Sequence, residues 1–505
     1  MDFSEFSVWA FLLIVALLLG SMLLASILKR FIPALNKTLI PVSVLGGIIL
    51  LIVSTITYYA AGDYLFNLGL FEFGSDYNGM DILELITYHC LGIGFVAMGM
   101  RSSKKKFNKT RAREIFDSGV TTVNGYLVQA VLGLAVTITA VVAFNVPGMI
   151  EAGGVLLAFG FGQGTGQALN YGNIYEGYGL QDGGNFGLTI AAIGFLVACI
   201  GGVIYLNVLR RKGIVKVADR EEAAKLSDYE DENEISVVSS MDKFTVQMAI
   251  VLCIYAISFL LMFGLSLLIP SLESVLFGFN FLIGTLLTVP AKAVLNKMQQ
   301  KKIIKKQIVN NFMMARIGGF AFDLMIVAGV AAIQLPLLAN YWGILLILTV
   351  VGSLSTFFYV YFVSRKLFPG YCHEQFLAMF GMLTGTASTG MILLREIDGN
   401  YRTPASENLV YQSLVAMVFG FPIMLLASYA CLGRTEAIVT MCVAFALFVV
   451  LNILLFRKFI FRRRFAAAAG GSDYSADSAS QEAEGEAEQP SAPEEPAAEG
   501  DNKDN

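Results

Sequence analysis

Long apolar runs recur along this chain, and they decide most of what it can fold into. A membrane-spanning helix needs about 20 largely apolar residues, and runs of that kind lie at roughly 7–28, 39–60, 83–100, 117–144, 186–209, 244–269, 274–294, 308–335, 341–364, 406–432 and 436–457. In lipid the backbone must bond within its own segment, so such runs form helices. Only 15% of the residues are charged, against about 25% in soluble domains. The sequence therefore predicts an all-α polytopic membrane protein.

Basic residues follow every second run and set the predicted orientation. Clusters such as Lys29–Arg30, Arg210–Lys212 and 301–306 alternate with loops that carry few bases, and the loop Gly62–Met80 has none. Cytoplasmic loops are enriched in Lys and Arg. We therefore expect the N-terminus outside and the C-terminus in the cytoplasm. The first run lacks a small-residue cleavage site, which favours a retained span.

Two short segments that nearly repeat each other interrupt the apolar pattern. Leu156–Gly166 reads LLAFGFGQGTG, and Leu377–Ala387 reads LAMFGMLTGTA. Glycine and hydroxyl residues break a helix, and a broken backbone at membrane depth is tolerated only beside protein or a water-filled cavity. Paired interruptions at matching places in two halves indicate the binding site of a transporter.

The alternation of basic loops predicts that the two interrupted segments enter the membrane from opposite faces. The segment at 152–176 lies between run ends that are predicted outside, and the segment at 373–396 lies between ends predicted in the cytoplasm. Both segments are then re-entrant. Residues 1–209 and 244–432 are accordingly predicted to be inverted-topology repeats of five spans each.

Three further segments complete the predicted organisation. Residues 210–243 form a charged cytoplasmic linker, which includes the helix-forming run Glu221–Lys225. Residues 433–465 form an extra span with a basic end. Residues 466–505 are dominated by Ala, Glu, Ser, Gly and Pro, a composition with too few apolar side chains to fold. We expect an acidic, disordered tail.

The two interruptions supply most of the candidate binding residues. Their amides, hydroxyls and bare backbone suit a hard cation such as Na⁺ or a carboxylate, and the candidates are Gln163, Gly164, Thr165, Gly166, Gln167, Thr384, Gly385, Thr386, Ser388 and Thr389. The N-terminal ends of the resuming half-helices attract an anion, whereas the C-terminal carbonyls of the preceding half-helices suit a cation. A glycine-rich packing seam between helices is the alternative interpretation.

Two charged residues, one inside an apolar run and one at the end of the second interrupted segment, complete the candidate set. A charge at membrane depth costs about 2.5–3.5 kcal/mol on insertion scales, so it needs a reason. Asp323 lies well inside an apolar run and is the acidic candidate, so Thr165, Thr386 and Asp323 are the predicted Na⁺ ligands. Arg395 is a bidentate donor for a substrate carboxylate, or else it pairs with a neighbouring acid at the cytoplasmic surface.

Patterns typical of enzymes and metal sites are missing from the sequence. It contains no GxSxG, GxxxxGK[ST] or HExxH motif, and its two histidines and six scattered cysteines form no ligand cluster. We expect no enzyme activity, no organic cofactor and no nucleic-acid partner. No segment is long enough for a soluble nucleotide domain, so an ion gradient or the gradient of the substrate would supply the energy.

Three pieces of the sequence carry a resemblance to a known family. They are Leu39–Gly47 (LIPVSVLGG), Gly160–Ala168 (GFGQGTGQA) and Phe380–Met391 (FGMLTGTASTGM). Through them, and over about residues 1–430, the chain resembles the bacterial sodium/glutamate symporter family. The extra C-terminal span and the acidic tail mark it as a divergent member.

The resemblance implies a set of functional expectations. They are Na⁺-coupled uptake of L-glutamate, or of a similar anionic amino acid or dicarboxylate, by alternating access in the bacterial inner membrane. Na⁺, the substrate and lipid are the expected partners, and a homodimer is left open. One alternative is an H⁺-coupled or exchange-type carrier of another organic anion. The other is a channel or a non-transporting membrane scaffold, although the sequence lacks the continuous polar stripe or ring of like charges that a channel would need.

Overall fold

The computed structural model describes most of the chain as helices. The described residues are 5–33, 35, 39–72, 77–101, 109–214, 242–270, 273–278, 280–302, 308–398 and 403–457, and they contain no strand. Ten of their helices are long and apolar enough to cross a membrane. An eleventh candidate, Ala405–Ala430, bends by 47° between Ser413 and Val415. The prediction of an all-α polytopic membrane protein is confirmed.

The described helices of the two halves follow the same order. The first half contains α1 (Phe6–Phe31), α2 (Val42–Ala61), α3 (Gly79–Met100), α4 (Lys109–Phe144), α5 (Leu156–Gln163), α6 (Thr165–Glu176) and α7 (Gly183–Arg211). The second half contains α8 (Lys243–Leu268), a short α9 (Glu273–Gly278), α10 (Asn280–Gln300), α11 (Asn311–Ala331), α12 (Trp342–Leu367), α13 (Cys372–Thr384), α14 (Ala387–Arg395) and α15 (Ala405–Ala430).

The last helix, α16 (Arg434–Leu455), occupies the place of the expected extra span. Three predicted features lie wholly or largely outside the described residues. They are the linker from residue 215 to residue 241 with its Glu221–Lys225 helix, the basic end of the extra span after Arg457, and the tail 466–505.

The helices before residue 434 group into two bundles. In the first bundle α1, α2 and α3 pack with α8, α10 and α11, and the pair of α3 and α11 has the most extensive contact. In the second bundle α4 to α7 pack with α12 to α15. The main contact between the bundles is made by α6, which lies against α3 and α11.

Glycines allow the helix backbones to approach closely within each bundle. A Cβ atom on Gly133 of α4 would lie 2.0 Å from the carbonyl oxygen of Gly154, just before α5. A Cβ atom on Gly47 of α2 would lie 2.6 Å from Cβ of Val330 on α11. Lipid tails are as apolar as the side chains, so the hydrophobic effect does not drive helices together inside a membrane. Close packing between small residues stabilises their association instead.

Candidate functional site

The first interrupted segment folds into a helical hairpin, here called hairpin A, made of α5 and α6. Its tip is Gly164, with φ 88° and ψ −170°, a conformation that essentially only glycine adopts. The rings of Phe159 and Tyr171, on opposite arms, stack at 4.1 Å. At the base the backbone N–H of Gln181 donates to the Gly148 carbonyl at 2.8 Å. The chain therefore enters and leaves hairpin A at one end.

The second interrupted segment folds in the same way into hairpin B, made of α13 and α14. Its tip is the pair Gly385 and Thr386, between the end of α13 and the start of α14. The arms are so close that a Cβ atom on Gly390 would lie 2.3 Å from the Ala378 carbonyl oxygen. Thr386 caps α14, because its hydroxyl accepts a hydrogen bond from the Thr389 N–H at 3.4 Å.

The bases of the hairpins lie at opposite ends of α7, which has 29 residues and is therefore about 43 Å long. At the N-terminal end of α7, the Gly183 carbonyl oxygen lies 2.3 Å from where a Cβ of Gly172 in hairpin A would be. Near the C-terminal end, Tyr205 is hydrogen bonded to His373 of hairpin B at 2.8 Å. Hairpins A and B therefore approach each other from opposite directions.

The tips of the hairpins meet beside the middle of α7. A Cβ atom on Gly164 would lie 3.3 Å from Cγ2 of Thr386 and 3.9 Å from the Phe195 ring. A Cβ atom on Gly194 would lie 2.5 Å from the Thr384 carbonyl oxygen. Two half-helices therefore begin, and two end, around one point deep in the fold.

A cavity of about 130 Å³ lies at this point, between the two bundles. Most of its lining is apolar and includes Leu91, Phe95, Phe281, Phe322, Met325, Met382, Met417 and Met424. The polar lining residues are Thr122, Tyr126, Gln163, Thr386, Gln412 and Ser413. Both hairpin tips and both bundles thus contribute to one cavity, and no lining residue in the described part of the chain carries a charge.

The candidate residues at the tip of hairpin A have different surroundings. Gln163 lines the cavity, and the Thr165 hydroxyl donates to the Met325 carbonyl of the first bundle at 3.4 Å. Gly166 packs against Met325, whose Sδ lies 3.0 Å from its ideal Cβ position. Gln167 is 1% exposed, yet both polar atoms of its amide lack a protein partner.

The candidate residues of hairpin B also separate into groups. Thr386 lines the cavity, and its Oγ1 lies 3.3 Å from that of Thr389. The Thr384 hydroxyl turns back to the Phe380 carbonyl at 2.7 Å, which satisfies it within its own helix. The side chain of Ser388 is outside the described part of the structure.

The two charged candidates lie outside the cavity lining. Asp323 is on α11 between two lining residues, Phe322 and Met325, and its carboxyl group lies beside the Ser43 hydroxyl at the start of α2. Arg395 is exposed at the last residue of α14, at the base of hairpin B. The structure therefore brings Asp323 next to the site and leaves Arg395 at the far end of its helix.

Sequence analysis missed Gln129, a fully buried residue of α4 that holds the tip of hairpin B. Its Nε2 donates to the Leu383 carbonyl and to the Thr356 hydroxyl, each at 2.8 Å. The available signal was a series of polar residues inside the apolar run 117–144, which includes Ser118, Thr121, Thr122, Asn124 and Gln129.

A chain of polar side chains, also missed, leads from the cavity to the base of hairpin B. Gln412 accepts hydrogen bonds from Ser118 and, at 3.2 Å, from Thr122. Gln375 of hairpin B donates to Ser118 at 3.0 Å, and Asn408 donates to Gln375 at 3.0 Å. These bonds fasten α13 to α4 and α15.

Aromatic, basic and acidic groups surround the base of hairpin B. The Tyr371 hydroxyl donates to Glu114 at 2.9 Å, and Arg111 pairs with both Glu114 and Glu407. Burial raises the pKa of Tyr371 above its ordinary value. Burial also lowers the pKa of His373, which favours its neutral form.

A second, more polar cleft lies on the other side of the tip of hairpin A. It has a volume of about 350 Å³ and is lined by Tyr77, Asp81, Glu84, Leu85, Tyr88, Gly166, Leu169, Asn170 and Asn173. Asn173 donates to Glu84 at 3.0 Å. Residues of α3 line both spaces, since Glu84 and Tyr88 border the cleft and Leu91 borders the cavity.

Comparison with protein-family models and with curated proteins finds no match to this chain. The fold and the site define its class, a polytopic all-α membrane protein with two helical hairpins whose tips meet beside an internal cavity. Its function is therefore argued from this geometry.

Proposed function

We propose that this protein is a secondary active transporter that carries a small organic anion into the cell together with Na⁺. One observation carries the proposal: two hairpins approach from opposite directions, and their tips meet at a cavity between two helix bundles. Transporters place substrate and ion sites at such broken helices near the membrane midplane. The resemblance to sodium/glutamate symporters makes L-glutamate the first candidate substrate.

The proposal includes an inverted relation between residues 1–209 and 244–432. The matching helix order and the opposed hairpins support it, and so does the alternation of basic loops. In this arrangement hairpin A enters from outside and hairpin B from the cytoplasm of a bacterial inner membrane. The second cleft, near Glu84, then opens to the outside.

Helix ends at the tips supply the proposed ion and anion sites. The N-terminal ends of α6 and α14 present N–H groups and partial positive charge to an anion, and Ala387 at the start of α14 lines the cavity. The C-terminal ends of α5 and α13 present carbonyl oxygens, which suit Na⁺. The proposed side-chain ligands of that ion are Thr165, Thr386 and Asp323.

Alternating access follows from movement of the second bundle against the first. The cavity is lined by Leu91 and Phe322 of the first bundle and by Thr386 and Gln412 of the second, so such movement changes the side from which it is reached. Buried hydrogen bonds of Gln375 and Asn408 lie along hairpin B, and this is the side proposed to be closed. The open cleft beside hairpin A is the proposed outer entrance.

Uptake into proteoliposomes tests the proposal directly. L-[¹⁴C]glutamate and other radiolabelled organic anions are offered with an inward Na⁺ gradient, with a K⁺ gradient, and with a pH gradient at equal Na⁺. Uptake that requires the Na⁺ gradient supports the proposal. Uptake that follows only the pH gradient would assign the alternative, an H⁺-coupled carrier, and no uptake of any anion would reject an anion carrier.

A further inference from the structure

Methionine and aromatic side chains dominate the cavity between the hairpin tips. Four lining residues are methionines (Met325, Met382, Met417 and Met424), and three more are the phenylalanines Phe95, Phe281 and Phe322. Methionine is flexible and polarisable, so it adapts to the shape of an apolar ligand. This composition favours a ligand whose body is itself apolar.

Charged side chains, by contrast, are missing from the described lining of the cavity. Asp323 lies beside Ser43, and Arg395 is exposed at the end of α14. The proposed Na⁺ can offset one carboxylate, but a second carboxylate in this apolar space has no cationic partner in the described lining and loses hydration that nothing replaces. A ligand with a second carboxylate among the methionines would therefore bind much more weakly than one without it.

One end of the cavity can nevertheless hold a single negative group. Ala387, the first residue of the nine-residue helix α14, lines the cavity, so the N-terminal end of that helix, with its partial positive charge, borders it. The Thr386 hydroxyl is at the same place. These donors are neutral, and they suit one carboxylate.

Gln163, the last residue of α5, brings an amide to the same cavity. Its N–H groups can donate a further hydrogen bond from a neutral group to a ligand carboxylate.

The volume of the cavity suits a small ligand. A buried water needs about 10–15 Å³ of such space, so a cavity of about 130 Å³ holds about ten waters. One organic acid of about ten non-hydrogen atoms occupies comparable room.

We infer that the substrate is a small monocarboxylate with an apolar branched or aromatic tail, in preference to a dicarboxylate such as glutamate. Its carboxylate lies at the start of α14, and its tail lies among Met325, Met382 and Met417. The inference rests on the proposed transport function and narrows its substrate class.

Two acids with the same head and different tails test the inference. 4-Methyl-2-oxopentanoate ends in an isopropyl group, whereas 2-oxoglutarate ends in a second carboxylate. Binding of each to the purified protein in Na⁺ is measured by calorimetry, and uptake of each is measured in proteoliposomes. We expect the branched acid to bind at least about 100-fold more tightly, because the second carboxylate of its rival is desolvated without a partner.

The outcomes separate the inference from the proposed function. Binding and Na⁺-dependent uptake of 2-oxoglutarate or glutamate, equal to or better than those of the branched acid, would overturn the inference and leave an anion transporter. If all of these acids fail to bind at millimolar concentration and are not taken up, the inference and the proposed anion transport both fall.

A substitution in the tail region gives a second measurement. Met417→Lys places a cation where the tail is expected, so it should move the affinity ratio of the two acids toward 2-oxoglutarate by at least about tenfold. The ratio within one variant does not depend on the yield of folded protein. An unchanged ratio in a variant that still binds either acid would exclude Met417 from the tail site.

Discussion

Gly164→Ala is the sharpest perturbation of the hairpin geometry. Gly164 has φ 88° and ψ −170°, a region where any residue with a side chain is strained by about 1–3 kcal/mol. The added methyl carbon would also lie 3.3 Å from Cγ2 of Thr386 on hairpin B. Relief of this contact requires Thr386 to shift slightly, while the backbone strain at residue 164 persists.

The expected result is a double loss. The midpoint of thermal unfolding of the detergent-solubilised protein should fall, and Na⁺-dependent uptake should fall by at least about tenfold, since small misplacements of site groups have effects of this order. A lower midpoint of thermal unfolding by itself would show only that the backbone is strained at residue 164, so uptake must be measured as well.

Two other glycines provide matched controls. Gly62 has φ 82° but no heavy atom within 4 Å of an added Cβ, so Gly62→Ala reports backbone strain without contact at the tips. Gly343 lies in α12 with equally open surroundings, so Gly343→Ala should be neutral or stabilising by up to about 1 kcal/mol. If Gly164→Ala transports like Gly62→Ala, the tips do not form the site.

Three further predictions concern single side chains. Thr386→Val is nearly isosteric and should raise the Na⁺ concentration needed for half-maximal uptake. Thr139→Val, on the exposed face of α4, should leave that concentration unchanged. Wild-type Na⁺ dependence in Thr386→Val would remove Thr386 from the ion site. Gln129→Leu should destabilise the protein by about 1–3 kcal/mol, because the Leu383 carbonyl and the Thr356 hydroxyl lose their hydrogen-bond donor. Thermal unfolding measures this loss, with Gln300→Leu at an exposed position as the control. Burial lowers the pKa of His373 from 6.5, so as the pH falls the unfolded chain binds the proton before the folded protein does. The stability of the folded protein should therefore decrease as the pH drops below about 7. His373→Gln should make the melting temperature depend less on pH, and an unchanged dependence would assign it to other groups.

Most of the fold was predictable because membrane helices are specified locally. Each apolar run must bond its own backbone, so the run at 7–28 becomes α1 and the run at 341–364 becomes α12 within a few residues. The breaks at Gly164 and Gly385 were equally local, since they depend on glycine and its neighbours. The bend in α15 at residues 413–415 was not predicted from its apolar run.

The composition of the site was far less predictable. Its lining comes from helices of both bundles, and which face of each helix turns inward depends on tertiary packing. Gln163 and Thr386 were found because they adjoin the breaks, whereas Met417 and Gln412 lie in an ordinary apolar run with no local signal of their role. Arg395 was chosen for its charge, but its position at the end of α14 leaves it at the base of hairpin B.

The hydrogen bonds of the hairpins favour one particular kind of movement. Tyr171 and Tyr175 of hairpin A donate to carbonyls of α15, which belongs to the second half of the chain. Gln129 of α4, in the first half, holds the tip of hairpin B, and Tyr205 of α7 holds its base. Because each hairpin is fastened to helices of the opposite half, opening one hairpin alone would break buried bonds in both halves. Displacement of the whole second bundle keeps these bonds. It breaks instead the bonds that hairpin A makes to the first bundle, such as those of Thr165 to Met325 and of Asn170 to Gly278. We therefore expect a carrier built this way to alternate by moving the bundle rather than by flexing a tip.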